Sequence, residues 1–159
     1  MIKINREITP GTYTLNDIFD GLNQATILTD VFKTKKELDD VFSKTNVYVE
    51  KNDHYMFVKN DDASIVIGLE HLQKSDSKIL YLDIVHELVH VKQQRCGLDL
   101  YDKSYSYVDR PTEIEAYEIA VREAKRLGMN NEEILDYLHV EWITPEEHKR
   151  LASHLGIAT

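Results

Sequence analysis

The chain has 159 residues, with 28 acidic and 19 basic side chains and a formal net charge of -9 when its seven histidines count as neutral. This length predicts one domain over residues 1–159, and a content of 42% hydrophobic and 30% charged residues excludes both a disordered chain and a membrane-spanning one. The acidic balance argues against binding to nucleic acid, whose phosphates require a basic surface.

The front half of the chain is predicted to mix helices and strands. Apolar residues at three- and four-residue spacing predict short amphipathic helices at residues 15–28 and 35–44. Three β-branched and aromatic runs follow at residues 47–49, 55–58 and 64–68, and short polar turns separate them. Strands joined by tight turns favour an antiparallel meander of three strands.

The back half is predicted to be helical. Residues 78–95 contain neither Gly nor Pro, and their apolar side chains cover most of the helix circumference, which indicates a central and largely buried helix. A loop rich in tyrosine and aspartate follows. Three further helices are predicted at residues 111–127, 131–139 and 145–155. The expected class is therefore α+β, with a small antiparallel sheet of about three strands packed on the central helix.

The predicted central helix contains His86-Glu87-Leu88-Val89-His90, which is the pattern H-E-x-x-H. Because four residues are just over one helical turn, both imidazoles project from one face and can bind one small cation such as Zn2+. Glu87 lies one step round the helix, where it can reach a water molecule held by that cation. The pattern thus predicts His86 and His90 as metal ligands and Glu87 as the catalytic base, and it requires a third ligand.

The third ligand does not follow within the same helix, because positions 94 and 96, where other zinc motifs place a histidine, hold Gln94 and Cys96. The next helix offers Glu113 and Glu115. At 100° per residue, Glu113 lies at the centre of the apolar stripe, whereas Glu115 lies on the face expected to be solvated. A carboxylate in the core is costly unless it is paired or bound to a metal, so Glu113 is the predicted ligand. Glu115 instead fits a capping box with Thr112 as N-cap.

With these ligands the chain resembles the gluzincin zinc metallopeptidases, which combine H-E-x-x-H with a glutamate from a downstream helix. Residues 113–117, Glu-Ile-Glu-Ala-Tyr, are similar to the E-x-E-A-D or E-x-E-A-N stretch of HtpX-like and ImmA/IrrE-like peptidases, whose first glutamate binds zinc. The absence of membrane-spanning segments makes the chain more similar to the soluble minigluzincins or to ImmA/IrrE-like proteins. The resemblance covers about residues 64–127 and implies a single metallopeptidase-like domain of zincin type.

The sequence departs from this pattern at Tyr117, where the family carries Asp or Asn to support a zinc-binding histidine. Support would then have to come from the Tyr117 hydroxyl or from another group. Asp83 precedes His86 by one turn and can orient it, although an acidic residue early in a helix is also favoured by the helix dipole. The remaining histidines lack ligand spacing and are expected at the surface: His54, His71, His148 and His154.

The resemblance implies a zinc-dependent endopeptidase that hydrolyses a peptide or protein substrate through a metal-bound water, with Glu87 as general base. The tetrahedral intermediate needs a second donor, and four candidates stay open: Tyr101, Tyr105, Tyr107 and His139. The strand at residues 64–68 resembles the edge strand with which gluzincins bind extended peptides. The alternative is a noncatalytic zinc-binding regulatory or protein-interaction module on a zincin fold, although such a module has no use for Glu87.

The single cysteine, Cys96, excludes an internal disulfide and suits a reducing compartment. Residues 1–13 lack the basic flank and apolar core of a signal peptide, and the longest apolar stretches are too short to span a bilayer. We therefore expect a cytoplasmic protein that does not associate with membranes.

Overall fold

The computed structural model describes residues 2–51 and 55–159. Its N-terminal part consists of short helices and strands. In chain order these are β1 (Lys3–Ile4), β2 (Gly11–Tyr13), α1 (Leu15–Ile18), β3 (Phe19–Asp20), a 3-10 helix (Leu22–Gln24), α2 (Leu28–Val31) and α3 (Lys35–Lys44). The helix predicted at residues 15–28 is wrong, because β3 pairs with β1 and Gly21 adopts a φ of 88°, which interrupts helical geometry. The helix predicted at residues 35–44 is confirmed.

The main sheet has four strands, which are β2, β4 (Val47–Glu50), β5 (Met56–Val58) and β6 (Ile65–Gly68), in the order β2-β4-β6-β5. The three predicted strands exist, but the predicted meander is wrong, because β6 lies between the other two and pairs in parallel with β4 and antiparallel with β5. All four residues of β6 are buried, as is typical of an interior strand. The strand expected to be a substrate-binding edge is therefore interior, and the edge strands are β2 and β5. Residues 52–54 of the first predicted turn, with His54, lie outside the described residues.

Helices form the rest of the chain. They are α4 (Leu69–Lys74), α5 (Ser77–Arg95), a 3-10 helix (Tyr107–Asp109), α6 (Pro111–Arg126), α7 (Asn131–Leu138) and α8 (Pro145–His154). The four helices predicted in this half are confirmed to within one or two residues, whereas α4 was not predicted. Thr144 begins α8 with the expected capping box, in which its side chain accepts from the Glu147 backbone N–H. The α+β class is thus confirmed.

Helix α5 lies at the centre of this arrangement. Every residue from Leu80 to Val91 except Asp83 is buried, and each fully buried Leu, Ile or Val contributes about 1.5–3 kcal/mol through the hydrophobic effect. The helix packs most extensively against α6 and also contacts the edge strand β5. The polar residues of its middle turns are therefore held between a helix and a sheet edge. Across residues 2–51 and 55–159, no helix has both the length and the apolar character needed to cross a bilayer.

Candidate metal centre and cleft

The structure brings the three predicted ligand side chains together between α5 and α6. The Nε2 atoms of His86 and His90 are 3.2 Å apart. The Oε1 atom of Glu113, in the first turn of α6, lies 3.0 Å from Nε2 of His86 and 3.1 Å from Nε2 of His90. The three residues are only 6%, 4% and 4% exposed, respectively. The helical-wheel prediction that Glu113 points into the core is confirmed.

The geometry of these three atoms suits a small cation. Ligands placed tetrahedrally at ~2.0 to 2.1 Å from an ion lie about 3.3 Å from one another. The three observed separations, 3.0, 3.1 and 3.2 Å, are close to that value. In addition, His86, Glu87 and His90 form a buried group whose ligand atoms all lie within 4.8 Å of one another. This cluster could hold a metal ion.

Burial and mutual contacts shift the pKa values of the three clustered side chains in different directions. Burial acts to raise the pKa of Glu113, but hydrogen bonds from His86 and His90 hold it well below its usual range. Burial acts to lower the pKa of His90, yet Glu113 and the nearby Glu87 raise it to about 9. For His86, burial has the larger effect and lowers the pKa. The site thus combines an ionised carboxylate with one imidazole whose pKa is lowered and one whose pKa is raised. Each of the three groups affects the protonation of the other two.

Glu87 faces an open cleft of about 570 Å³ instead of joining this triangle. Its side chain is only 7% exposed, and burial raises its pKa well above the ordinary value. No described residue donates a hydrogen bond to it. A carboxylate whose pKa is raised beside a cleft is a stronger proton acceptor than an ordinary carboxylate, which is the property of a general base.

Gln93 orients His90, a role that our sequence reasoning missed. The Nε2 group of Gln93 donates to the Thr112 carbonyl at 3.0 Å and to the Glu115 carboxylate at 2.8 Å, so its Oε1 must be the atom that lies 2.7 Å from Nδ1 of His90. Nδ1 therefore carries the proton and donates, which leaves the Nε2 lone pair free for a cation. The sequence did offer one signal for this role, since Gln93 lies about one turn after His90 on a helix predicted to be buried.

The start of α6 differs from the prediction. The N-cap is Arg110, with Pro111 at the first helical position, and the Thr112 hydroxyl donates to the Leu100 carbonyl at 3.2 Å instead of capping the helix. The predicted capping box is therefore wrong, because proline starts the helix two residues before the position that box would require. Glu115 is exposed, as expected, but it accepts from Gln93.

His86 lacks the support that His90 has. Its Nδ1 atom is buried, and no described residue forms a hydrogen bond with it. The Tyr117 ring lies against the imidazole, with centroids 4.3 Å apart at 60°, while the Tyr117 hydroxyl is 2.6 Å from that of Tyr107. Support from the Tyr117 hydroxyl, one of the two expected possibilities, is therefore absent.

The expectation that Asp83 orients His86 is also not met, because Asp83 contacts His71 of the unpredicted helix α4, with Oδ2 and Nε2 2.8 Å apart. His71 is buried, and its Nδ1 atom lies 2.7 Å from the Ser75 hydroxyl, so the predicted surface position is wrong. His148 is partly buried, and its Nε2–H donates to the Leu135 carbonyl at 2.8 Å. His154 is exposed, as predicted.

The four candidates for the second donor divide into two pairs. Tyr107 and His139 line the cleft together with His86 and Glu87. Tyr101 and Tyr105 are not among the described residues of the cleft wall: the Tyr101 hydroxyl donates to the Val58 carbonyl of β5, and the Tyr105 side chain is exposed. Burial raises the pKa of Tyr107 well above its ordinary value, so its hydroxyl stays protonated.

Comparison with known proteins adds no relative to this picture. The chain matches no protein-family model, no curated protein and no solved structure. The resemblance to gluzincins therefore depends on the pattern His86-Glu87-x-x-His90 and on Glu113, together with the way α5 and α6 bring these residues together.

Proposed function

We propose that the protein is a zinc-dependent endopeptidase of gluzincin type, with a zincin-like arrangement of α5, α6 and the sheet edge. The observation that carries this proposal is the convergence of His86, His90 and Glu113 to 3.0–3.2 Å beside an unbonded Glu87 in an open cleft. Two imidazoles and one carboxylate are a ligand set of catalytic zinc sites, which keep one position open for water or substrate.

The donor set favours zinc over the hard cations. Imidazole nitrogens suit zinc and similar transition metals, whereas magnesium and calcium take mainly oxygen ligands. When bound, zinc would supply Lewis acidity, lowering the pKa of a water ligand and polarising the substrate carbonyl. His90 enters this ligand set in a fixed orientation, because its Nδ1–H donates to Gln93.

Glu87 is the proposed general base. It accepts one proton as the water oxygen forms a bond to the peptide carbonyl carbon, and it transfers that proton to the nitrogen as the C–N bond breaks. The products are a carboxylic acid and an amine, so the single water is fully accounted for. The raised pKa of Glu87, caused by burial, suits a group that must both take up and release this proton.

The edge strand β5 is the proposed binding site for the substrate backbone. Lys59 N–H donates to the Ser64 carbonyl at 2.8 Å, and Gly68 N–H donates to the Tyr55 carbonyl at 3.0 Å, so these are hydrogen-bonded pairs of the β5–β6 ladder. By the alternation of antiparallel ladders, the backbone groups of Met56 point to the outer edge. Met56 lines the cleft, where an extended peptide can add as a further strand.

A noncatalytic zinc-binding module is the second candidate function. One observation favours it: His86 has no hydrogen-bond partner at Nδ1 among the described residues, and the outer hydrogen bonds of metal-bound histidines contribute to activity as well as to metal affinity. In that case zinc would bind and cleavage would be absent.

Metal content and peptide cleavage of purified wild type and Glu87→Gln test the proposal together. We expect about one zinc per chain in both proteins, cleavage of unfolded protein substrates by wild type, and loss of cleavage in Glu87→Gln. Glu113→Ala should lose both metal and cleavage, whereas Glu118→Ala, an exposed glutamate of the same helix, should keep both. Zinc without cleavage in the wild type would support the noncatalytic module, and a metal-free wild type that gains no zinc on titration would refute both.

A further inference from the structure

We infer that the cleft beside Glu87 selects peptides that present a lysine or arginine side chain. This inference rests on the proposed peptidase function and names its substrate class. It starts from the charge of the cleft wall: among the described residues that line the cleft, one ammonium group, that of Lys78, faces six carboxylates. These belong to Asp76, Asp83, Glu87, Glu133, Asp136 and Glu141. The field of such a wall attracts cations and repels acidic peptides.

An aromatic wall accompanies the carboxylates. Trp142 is 52% exposed, and its ring lies 5.7 Å from that of Tyr55 and 5.6 Å from that of Tyr107, measured between centroids. The Tyr55 hydroxyl is hydrogen-bonded to the Glu141 carboxylate, which places an acidic group at the edge of the aromatic surface. Aromatic faces next to carboxylates bind ammonium and guanidinium groups through cation–π attraction combined with ion pairing. Apolar peptides would gain the stacking contact but not the charge.

Glu87 provides an independent sign that a ligand belongs in this cleft. The residue is only 7% exposed and lines the cleft, and no described residue donates a hydrogen bond to its carboxylate. A carboxylate without a donor in the protein completes its hydrogen bonding with water or with a bound ligand. The group therefore marks the cleft floor as a place where substrate or water completes the hydrogen bonding.

The arrangement of the carboxylates favours an extended cationic ligand over a second metal ion. Apart from the centre formed by His86, Glu87, His90 and Glu113, no group of three or more histidine, cysteine or acidic side chains among the described residues lies close enough to share an ion. The other acidic groups are spread along the cleft, and several have protein partners. Glu133 and Asp76 cap helices, and Asp83 contacts His71. Such a wall acts through its summed charge on a side chain that lies along it.

The test uses pairs of fluorogenic peptides that differ only by lysine against norleucine, placed in turn at each position around the scissile bond. We expect wild type to show about tenfold higher kcat/KM for lysine at one position, with the preference weakened by added salt. Asp136→Asn combined with Glu141→Gln should reduce this ratio severalfold. The matched control is Glu132→Gln, an exposed acid on the same helix as Asp136 but outside the cleft wall, and it should leave the ratio unchanged.

A binding measurement separates this inference from the peptidase proposal. Fluorescence anisotropy with the same peptide pairs and chelator-treated protein should give tighter binding of the lysine peptide, and the double variant should lose the difference. Equal kcat/KM values in an active enzyme would overturn the inference and leave the peptidase proposal intact. If no peptide is cleaved, the peptidase proposal fails, and the anisotropy data decide the inference, since equal or undetectable binding of both peptides overturns it.

Discussion

The two histidines of the H-E-x-x-H pattern lie one helical turn apart in contrasting surroundings. On the His90 side, the buried Gln93 connects the imidazole to the Thr112 carbonyl and Glu115, so every polar group has a partner. On the His86 side, the imidazole packs against the ring of Tyr117 and borders the cleft, and its Nδ1 atom has no described partner. One side of the centre is thus fixed by hydrogen bonds, while the other is shaped by aromatic packing and open to the cleft.

Zinc binding should produce the largest effect, because one ion would connect both sides. At a free zinc concentration 1,000 times the Kd, binding to the native state alone stabilises the fold by about 4 kcal/mol. Thermal unfolding with zinc and with chelator measures this change. Glu113→Ala should abolish the zinc-dependent rise in Tm, and Glu118→Ala should retain it. An equal rise in Glu113→Ala would show that the ion binds elsewhere.

Gln93→Leu should weaken the His90 side of the centre, which hydrogen bonds hold in place. Loss of the bond to His90 Nδ1 is expected to weaken zinc binding by about 10–100-fold. The variant also removes the hydrogen bond to the Thr112 carbonyl, which costs about 1 kcal/mol of the free energy of unfolding. Chelator competition and urea denaturation measure the two effects. Gln94→Leu is the matched control, because its side chain is only partly buried and bonds the Asn60 carbonyl near the surface.

Tyr117→Phe should have a smaller effect on the open side. The ring that contacts His86 remains, and only the hydrogen bond to the Tyr107 hydroxyl is lost, so zinc affinity should change by less than about twofold while stability falls by about 1 kcal/mol. The same chelator competition tests this. A loss of affinity as large as that of Gln93→Leu would mean that the Tyr117 hydroxyl supports the site after all.

The smallest effect is expected at the ion pairs of Asp109, the last residue of the 3-10 helix Tyr107–Asp109. Arg150 and His154 contact Asp109 at 2.8 and 2.9 Å, and these hydrogen bonds hold the pKa of Asp109 well below its usual range. Because the folded pKa is the lower one, this stabilisation is present above about pH 4 and is lost as pH falls through the folded value. Asp109→Asn should lower stability slightly at pH 7 and flatten its acid dependence, since a partly exposed pair contributes little. Identical acid unfolding curves would contradict this.

Local patterns were enough to predict that the three proposed ligand residues come together. The spacing of His86 and His90 fixes their common face on any regular helix, and the apolar stripe around Glu113 predicts its burial. Both depend on the 3.6-residue period of one element. The back-half helices were predictable because their apolar residues follow the same period and because proline and capping residues mark their ends.

The remaining features depend on contacts between distant segments. The parallel pairing of β6 with β4 brings together the first and third runs, which the short turns had suggested lie on either side of the second, and nothing within either run specifies its neighbour. The buried pair of His71 and Asp83 exists only because α4 packs beside α5. Tyr117 has no carboxylate or amide to offer His86, and its hydroxyl contacts that of Tyr107, which lies ten residues earlier in the 3-10 helix.

Anomalous diffraction at the zinc edge, on crystals grown with zinc, tests the central claim most directly. The account predicts one strong peak within ~2.2 Å of Nε2 of His86, Nε2 of His90 and a carboxylate oxygen of Glu113, with the Glu87 carboxylate outside the ligand sphere and facing the cleft. A peak bound by Glu87 in place of Glu113, or no peak between these two helices, would contradict it.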